Sequence, residues 1–447
     1  MPGLRILLLV LTVLTLATAR PAAAAERQIA DRVFLVSDAK ARFIQFQMIV
    51  LAGCADEAGN DCRGIAHYLE HLVLVGRNAE HRDAALRFFA DGMSNGWTTS
   101  RITGYVHRYP ADAPDAAERL DRLFAFYAAR LGGFEITPQD ALRERNVVLQ
   151  EYNWRVGANP FSPVWQEVTG FLYPGHPLGQ WTIGSPASIA ALTSDDARAY
   201  LAAWYRRSNV YFLVTGPVDE DLLRRTAAKY LAPLDPAAPP ARPWLGRRPD
   251  LTPASRVFLK EDRRIATVTV AIGRAVPFVE QDPVKTLAAG TLITQFLSSK
   301  LSGSPHSRLV EQDAVASAIR NVSFERVMDG VLQIGLAGTP EPDVGRDRLA
   351  DALRTYLRDL ASRGIDEPTL DRLKRRYAMR DKIELDDPQT APGRLINWLG
   401  YPLPYERLAD LAPAVASLKP DEVNALLRAT TAEGREATVI FAPAGTQ

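Results

Sequence analysis

The sequence predicts an α+β fold in two domains, and three observations carry that reading. Short runs with strand alternation are mixed with long stretches of helical periodicity and joined by short links. The chain has 447 residues, more than one hydrophobic core ordinarily serves. Its second half also echoes its first. Ser255-Arg256-Val257-Phe258-Leu259-Lys260-Glu261-Asp262 parallels Asp31-Arg32-Val33-Phe34-Leu35-Val36-Ser37-Asp38, and Leu418-Lys419-Pro420-Asp421-Glu422 parallels Leu192-Thr193-Ser194-Asp195-Asp196. Two echoes at nearly equal offsets argue for duplication.

Hydrophobic residues make up 47% of the chain and charged residues 23%, the balance of a globular protein. Lys+Arg 53 against Asp+Glu 52 leaves almost no net charge, so nothing points to a nucleic-acid partner or a polybasic membrane contact. The first residues have the pattern of a targeting segment. Arg5 precedes an apolar run from Ile6 to about Ala19, and Ala22-Ala23-Ala24-Ala25 offers small residues for cleavage. The run is short for a membrane span, which needs about 20 apolar residues. We read 1–25 as a secretory signal peptide cut after Ala25, with an uncleaved anchor as the alternative. No cysteine stands at the cut to make a lipoprotein. The expected location is periplasmic or secreted, with no membrane span after signal cleavage.

In chain order, Arg32 to Leu35 and Phe43 to Val50 form two strands, the second with clear alternation. Cys54 and Cys62 follow in a loop. They are two free thiols or a bridge; in an oxidising compartment the bridge is expected, worth roughly 2–3 kcal/mol by the chain-entropy relation. They lack the Cys-x-x-Cys spacing of zinc ligands. Apolar residues then recur at helical spacing from Ile65 to an end near Gly76. A second helix begins at His81 and stops near Gly92. Strands follow around Thr98 and from Ile102 to His107. A long helix covers about Pro114 to Leu131, with Pro114 in its first turn and Leu120, Leu123, Phe124 and Tyr127 as its buried stripe. After Thr137-Pro138 comes a helix that includes Glu144 and Glu151. Tyr211 to Gly216 is a strand and Asp219 to Tyr230 a closing helix. Asp235 to Pro243 is too rich in proline to form a core element. The segment 235–250 is therefore the linker between a first domain, 26–234, and its duplicate, 251–447.

The helix over Gly64-Ile65-Ala66-His67-Tyr68-Leu69-Glu70-His71-Leu72 holds the chemistry. His67 and His71 stand one turn apart on one face, with Glu70 beside them. A histidine pair at this spacing is either packing or ligation. The order His-x-x-Glu-His is the inverted zincin signature and favours ligation. Two neutral imidazoles, a carboxylate and an open position suit Zn²⁺. A third, carboxylate ligand is then required. Glu144 and Glu151 lie two turns apart on one face of their helix and are the candidates.

These motifs together resemble the pitrilysin family of zinc metallopeptidases, in its two-domain branch. The family carries His-x-x-Glu-His and, some 75 to 80 residues later, a pair of glutamates with six residues between them. The resemblance implies His67, His71 and Glu151 as zinc ligands, Glu70 as general base, and Glu144 as a carboxylate near the site but off the metal. Gly92-Met93-Ser94-Asn95-Gly96-Trp97-Thr98 resembles the family's Gly-x-x-Asn-Ala-x-Thr strand beside the zinc, which implies substrate binding at Asn95 and Gly96. Without the resemblance, Asn95-Gly96 is an ordinary turn dipeptide. Tyr173-Pro174-Gly175-His176-Pro177 and Gly184-Ser185-Pro186 resemble a further family segment. The similarity runs from about Arg32 to Pro443. It implies two similar domains, each a mainly antiparallel sheet covered by helices, together half of a clamshell.

The implied function is a zinc-dependent endopeptidase that hydrolyses extended or unfolded peptides through a metal-activated water. The alternative is a non-catalytic, peptide-binding or assembly subunit of a peptidase complex. The second copy has no His-x-x-Glu-His and supplies shape rather than metal. Its stretch Ser307 to Ala318 also lacks the Arg and Tyr that the family's non-zinc half brings to the substrate: Arg308 stands too early, and Ser or Ala stands where Tyr is expected. That gap implies a homologous partner chain supplying Arg and Tyr, as a heterodimer, with a homodimer as the alternative. His81, His107, His176 and His306 are expected to be structural or surface residues, while Arg101 and Tyr105 are candidates for the cleft.

Overall fold

The computed structural model describes residues 26–75 and 93–445. The expected signal peptide and the helix expected from His81 lie outside the described residues. The first half opens with β1 (Arg27–Ala30), β2 (Val33–Ser37) and β3 (Phe43–Val50), then α1 (Ile65–Val75) and the pair β4 (Met93–Thr98) and β5 (Thr103–Pro110). Helices α2 (Ala116–Leu131), α3 (Pro138–Tyr152), α4 (Ser162–Leu172), α5 (Pro186–Ala190) and α6 (Ser194–Trp204) precede β6 (Val210–Gly216) and α7 (Glu220–Leu231). The second half runs β7 (Ala254–Glu261), β8 (Thr269–Pro277), α8 (Pro283–Leu297), β9 (Ala316–Met328) and β10 (Val331–Pro340). It continues with α9 (Arg346–Arg363), α10 (Glu367–Asp386), α11 (Ala391–Leu399), α12 (Leu411–Ser417), α13 (Pro420–Ala429) and β11 (Arg435–Ala442).

The strands form two sheets, ordered β1-β2-β6-β3-β5-β4 and β7-β11-β8-β10-β9. Leaving out β1, the two orders correspond strand for strand. In each, one pair is parallel (β2 with β6, β7 with β11) and the remaining pairs are antiparallel. The chain is therefore α+β with two similar domains, each a mainly antiparallel sheet covered by helices.

Strand alternation decides which face each helix covers. Val33, Leu35, Phe46, Met48, Phe212 and Val214 point into a core shared with α1, α2, α3, α6 and α7. Their neighbours Phe34, Val36, Ile49, Tyr211 and Leu213 point the other way. They are buried against Leu395, Trp398 and Leu399 of α11, from the second half. The relation is reciprocal. Val164, Val168 and Leu172 of α4, from the first half, cover Ala271, Ala275, Val439 and Phe441 on the outer face of the second sheet. Each sheet thus buries one face under its own helices and the other under a helix borrowed from the other half.

Local outcomes differ from the sequence expectations in three places. The short edge strand β1 was not anticipated. Pro114 lies before α2 rather than in its first turn, because Asp115 takes the capping position and pairs with Arg119 and Arg122. The proline-rich stretch forms no strand or long helix, yet it leads directly into a fully buried residue: Trp244 donates from Nε1 to Asp56 Oδ1 at 2.9 Å.

Candidate metal centre

Helix α1 is fixed at both ends by buried charges that suit its dipole. At its N-terminus the Glu57 carboxylate accepts from the backbone N–H of Arg63 (2.7 Å) and of Ala66 (3.0 Å). Burial pushes the Glu57 carboxyl up to about 7, against the lowering effect of those N–H groups. At the C-terminal end, Arg130 of α2 donates to the Val73 carbonyl at 2.7 Å. Close backbone approach completes the anchor. Gly64 has φ +92 and Gly184 φ +82, and a Cβ on either would lie 2.4 Å from a carbonyl oxygen of the facing segment. Cys54 and Cys62 are joined in a disulfide, Cα–Cα 4.9 Å, so the loop that carries Glu57 is closed beside the helix it caps.

Residues one turn apart on α1 then meet α3. The Nε2 atoms of His67 and His71 stand 3.5 Å and 3.2 Å from the same oxygen, Oε2 of Glu151. Donor atoms of these three residues all lie within 4.8 Å of one another. Tetrahedral ligands about 2.0–2.1 Å from a zinc ion sit about 3.4 Å apart, so this donor set fits Zn²⁺. Glu144 approaches the other ring nitrogen of His71, Nδ1, at 3.7 Å and is itself held by Arg143 at 2.8 Å. A carboxylate behind a metal-binding imidazole orients the ring and fixes its tautomer. Burial, then the neighbouring His71, lowers His67 to about 4, which keeps it in the neutral form a metal needs. Burial also works to lower His71, but its contacts with Glu144 and Glu151 prevail and raise it to about 9. Binding of a metal ion there displaces a proton.

Glu70 stands on the same face. Its Oε2 accepts from the Thr98 hydroxyl at 2.6 Å, and burial raises its carboxyl to about 7. Thr98 belongs to β4, the edge strand of the first sheet, which among the described residues pairs only with β5. Asn95 and Gly96 lie within β4, opposite Val106 and Tyr105, so they are not the turn that their dipeptide would otherwise signal. Asn95 is exposed. Gly96 lies against the carboxylate: a Cβ there would come within 2.4 Å of Glu70 Oε1. His67, Glu70, His71, Asn95, Gly96, Thr98, Glu151 and Arg155 line one cavity of about 410 Å³.

Two residues at the site were not anticipated. Glu57 is one, the helix cap described above. The other is Arg155, which follows α3 in a wide turn (Asn153–Gly157) and donates from Nε to Glu151 Oε1 at 2.8 Å. That contact occupies one carboxylate oxygen and leaves Oε2 facing the histidines. An acid–base pair four residues apart was the available signal, but that spacing is common on exposed helices. Two expected cleft residues are elsewhere. Tyr105 is fully buried and hydrogen-bonds Tyr205. Arg101 reaches across to the second half, to the carbonyls of Gly400 and Val327. His107 and His176 are buried and hydrogen-bonded away from the site. His306 faces Glu311 at 3.4 Å.

Residues 191–377 match the family model described as the peptidase M16 inactive domain. That span excludes His67, Glu70, His71 and Glu151. The chain is 27% identical over 318 residues to zinc protease PqqE of Helicobacter pylori, an alignment covering 70% of this chain and 68% of that protein. It is 27% identical over 281 residues to a probable mitochondrial-processing peptidase subunit beta of Schizosaccharomyces pombe, covering 60% and 58%. Among solved structures, a protease from Helicobacter pylori superimposes with TM-score 0.74 at 21% identity, covering 94% of this chain and 99% of that one. The first half of the periplasmic protease PqqL from Escherichia coli gives TM-score 0.72 at 16% identity, covering 93% and 91%. With motif, fold and relatives in agreement, the chain belongs to the two-domain branch of the pitrilysin, or peptidase M16, family.

Proposed function

We propose that this chain is a zinc-dependent endopeptidase acting on extended or unfolded peptides. The observation that carries the reading is the convergence of two Nε2 atoms on Glu151 Oε2, with the Glu70 carboxylate on the same helix face. His67, His71 and Glu151 would hold the ion. When bound, zinc supplies Lewis acidity to a water and to the peptide carbonyl. Glu70 takes a proton from the attacking water and passes it to the leaving amine. Its elevated, near-neutral pKa suits both steps. Arg155 keeps Glu151 turned so that one oxygen faces the histidines. An extended peptide adds to the outer edge of β4, unpaired among the described residues, by backbone hydrogen bonds and brings its carbonyl over Glu70.

The second reading is a non-catalytic, peptide-binding subunit, favoured by the family model's description of residues 191–377. The test is metal content and peptide hydrolysis in wild type, Glu70→Gln and Glu151→Gln. We expect about one zinc per chain in wild type and Glu70→Gln, and little in Glu151→Gln. Hydrolysis should fall at least about a hundredfold in Glu70→Gln, the usual contribution of a general base. Full hydrolysis in Glu70→Gln would reject the mechanism, and none in zinc-loaded wild type with any partner would favour the second reading.

We further propose a homologous partner chain. Arg308 is engaged by Asp313 at 2.9 Å within the second half, which agrees with the expectation that Arg and Tyr come from another subunit. Relatives include chains named as the beta subunit of a processing peptidase. For location we propose the periplasm. Among the described residues no helix is long and apolar enough to cross a membrane, and a structural neighbour is titled a periplasmic protease.

A further inference from the structure

The duplication leaves a second cavity where the first half has its histidines. In the first sheet Val50 pairs with Thr103 and Thr103 with Thr98, the residue that hydrogen-bonds Glu70. At the matching place in the second sheet, Arg274 pairs with Ile334 and Ile334 with Phe324. Phe324 lies against Gly290 of α8, its ring 3.3 Å from where a Cβ would be. Helix α8 therefore takes the place of α1, and Leu287, Gly290 and Thr291 stand where His67, Glu70 and His71 do. The metal-binding groups are gone, but the space is kept. A cavity of about 620 Å³ remains, enclosed by α8, β9, α10 and α11. That is within the usual range for a small-ligand site, about 300–1,000 Å³.

Its lining is polar in a particular way. On α10 Arg380 pairs with Glu384, and Asp381 stands beside Arg394 of α11, a balance of charges around one space. Arg326 is 5% exposed, and two of its nitrogens hold Glu280 while Nη1 has no hydrogen-bond partner. Arg394 comes no closer than 3.7 Å to Asp381, and its Nε is likewise buried without a partner. On α8, the buried Oε1 of Gln295 has none either. Buried polar atoms are nearly always paired. Two unpaired guanidinium donors and one unpaired amide oxygen around one cavity call for a ligand with an acceptor at one end and a donor at the other.

We propose that this cavity binds a short zwitterionic peptide. Its C-terminal carboxylate meets Arg326 and Arg394. Its α-ammonium group meets Gln295 and the acidic residues of the lining, and Tyr377, Trp398 and Tyr401 offer apolar walls. A simple anion does not match the carboxylates, and a simple cation does not match the guanidinium groups. The ligand class follows from this lining alone and does not depend on catalysis at the first half.

The experiment is calorimetric titration of the full chain with dialanine, dialanine amide and N-acetyl-dialanine. Arg326 itself is a poor target, since its loss strands the buried Glu280. Arg394→Gln and Thr291→Phe, at partly exposed positions of the lining, are the variants, with His67→Ala as control for the metal site. We expect dialanine to bind wild type and His67→Ala alike. Binding should weaken at least tenfold in Arg394→Gln and in Thr291→Phe, and for both blocked peptides. The proposal fails if dialanine does not bind, if either blocked peptide binds equally well, if both cavity variants leave binding unchanged, or if His67→Ala abolishes it.

Discussion

Gly96 shows what a single absent side chain does at this site. The Thr98 hydroxyl pins Glu70, and the missing Cβ at Gly96 leaves room for the other carboxylate oxygen. Gly96→Val should displace Glu70 without touching the residues proposed to hold zinc. We expect unchanged zinc content and hydrolysis lowered at least about tenfold, since misplacing a catalytic group by about 1 Å is costly; unchanged hydrolysis would show that Glu70 has slack. His107 offers a pH test away from the site. Burial, then the charge of Arg130, lowers it from 6.5 to about 3 while it bridges Ser94 and Tyr127. A histidine depressed in the folded state contributes stability that is complete above pH 6.5 and lost as pH falls toward 3. The loss is about 1.4 kcal/mol per pH unit. Urea midpoints at pH 7 and pH 5 should therefore differ more in wild type than in His107→Gln, by an amount equivalent to about 2 kcal/mol. The imidazole pair, Glu70 and the two glutamates were legible in the sequence because helical periodicity brings near neighbours to one face. Glu57 and Arg155 were not, because their roles depend on where a loop and a wide turn come to rest.

At the scale of elements, α1 matters most, and its position depends on the loop before it. Glu57 sits inside the loop closed by Cys54 and Cys62 and satisfies two N–H groups at the helix start. Glu57→Ala should cost about 1–2 kcal/mol, as loss of a helix cap does, and should weaken zinc binding. Replacing both cysteines by serine should cost about 2–3 kcal/mol and weaken zinc binding in the same direction. Thermal unfolding and a competitive zinc titration check both; full zinc affinity in both variants would mean that α1 holds its place without the loop. The strands β2 and β6 were legible as continuous apolar runs, buried on both faces, and β3 by its alternation. The small errors fell where alternation is silent, at the short edge strand β1 and at the start of α2.

For the whole molecule, the likeness of the two halves was legible from two sequence echoes, and the strand orders of the two sheets match. The exchange of helices was not legible. An apolar stripe on α4 or α11 shows that each is buried, but nothing in the stripe says which sheet it covers. The structure assigns each to the sheet of the other half, and this makes the halves interdependent. Without α11, the first sheet would expose Phe34, Val36, Ile49, Tyr211 and Leu213; without α4, the second would expose Ala271, Ala275, Val439 and Phe441. Apolar sheet faces of that extent drive association. Arg101, Trp244 and the carbonyls and carboxylate they bind add buried polar contacts that separation would break. Severing the chain between Ala241 and Arg242 and expressing the pieces apart should therefore give two insoluble or aggregated products. Co-expression should return a soluble complex with zinc bound, because the break falls in a stretch outside both sheets. A soluble, cooperatively unfolding first half on its own would show that α11 is a cover rather than a part of its core.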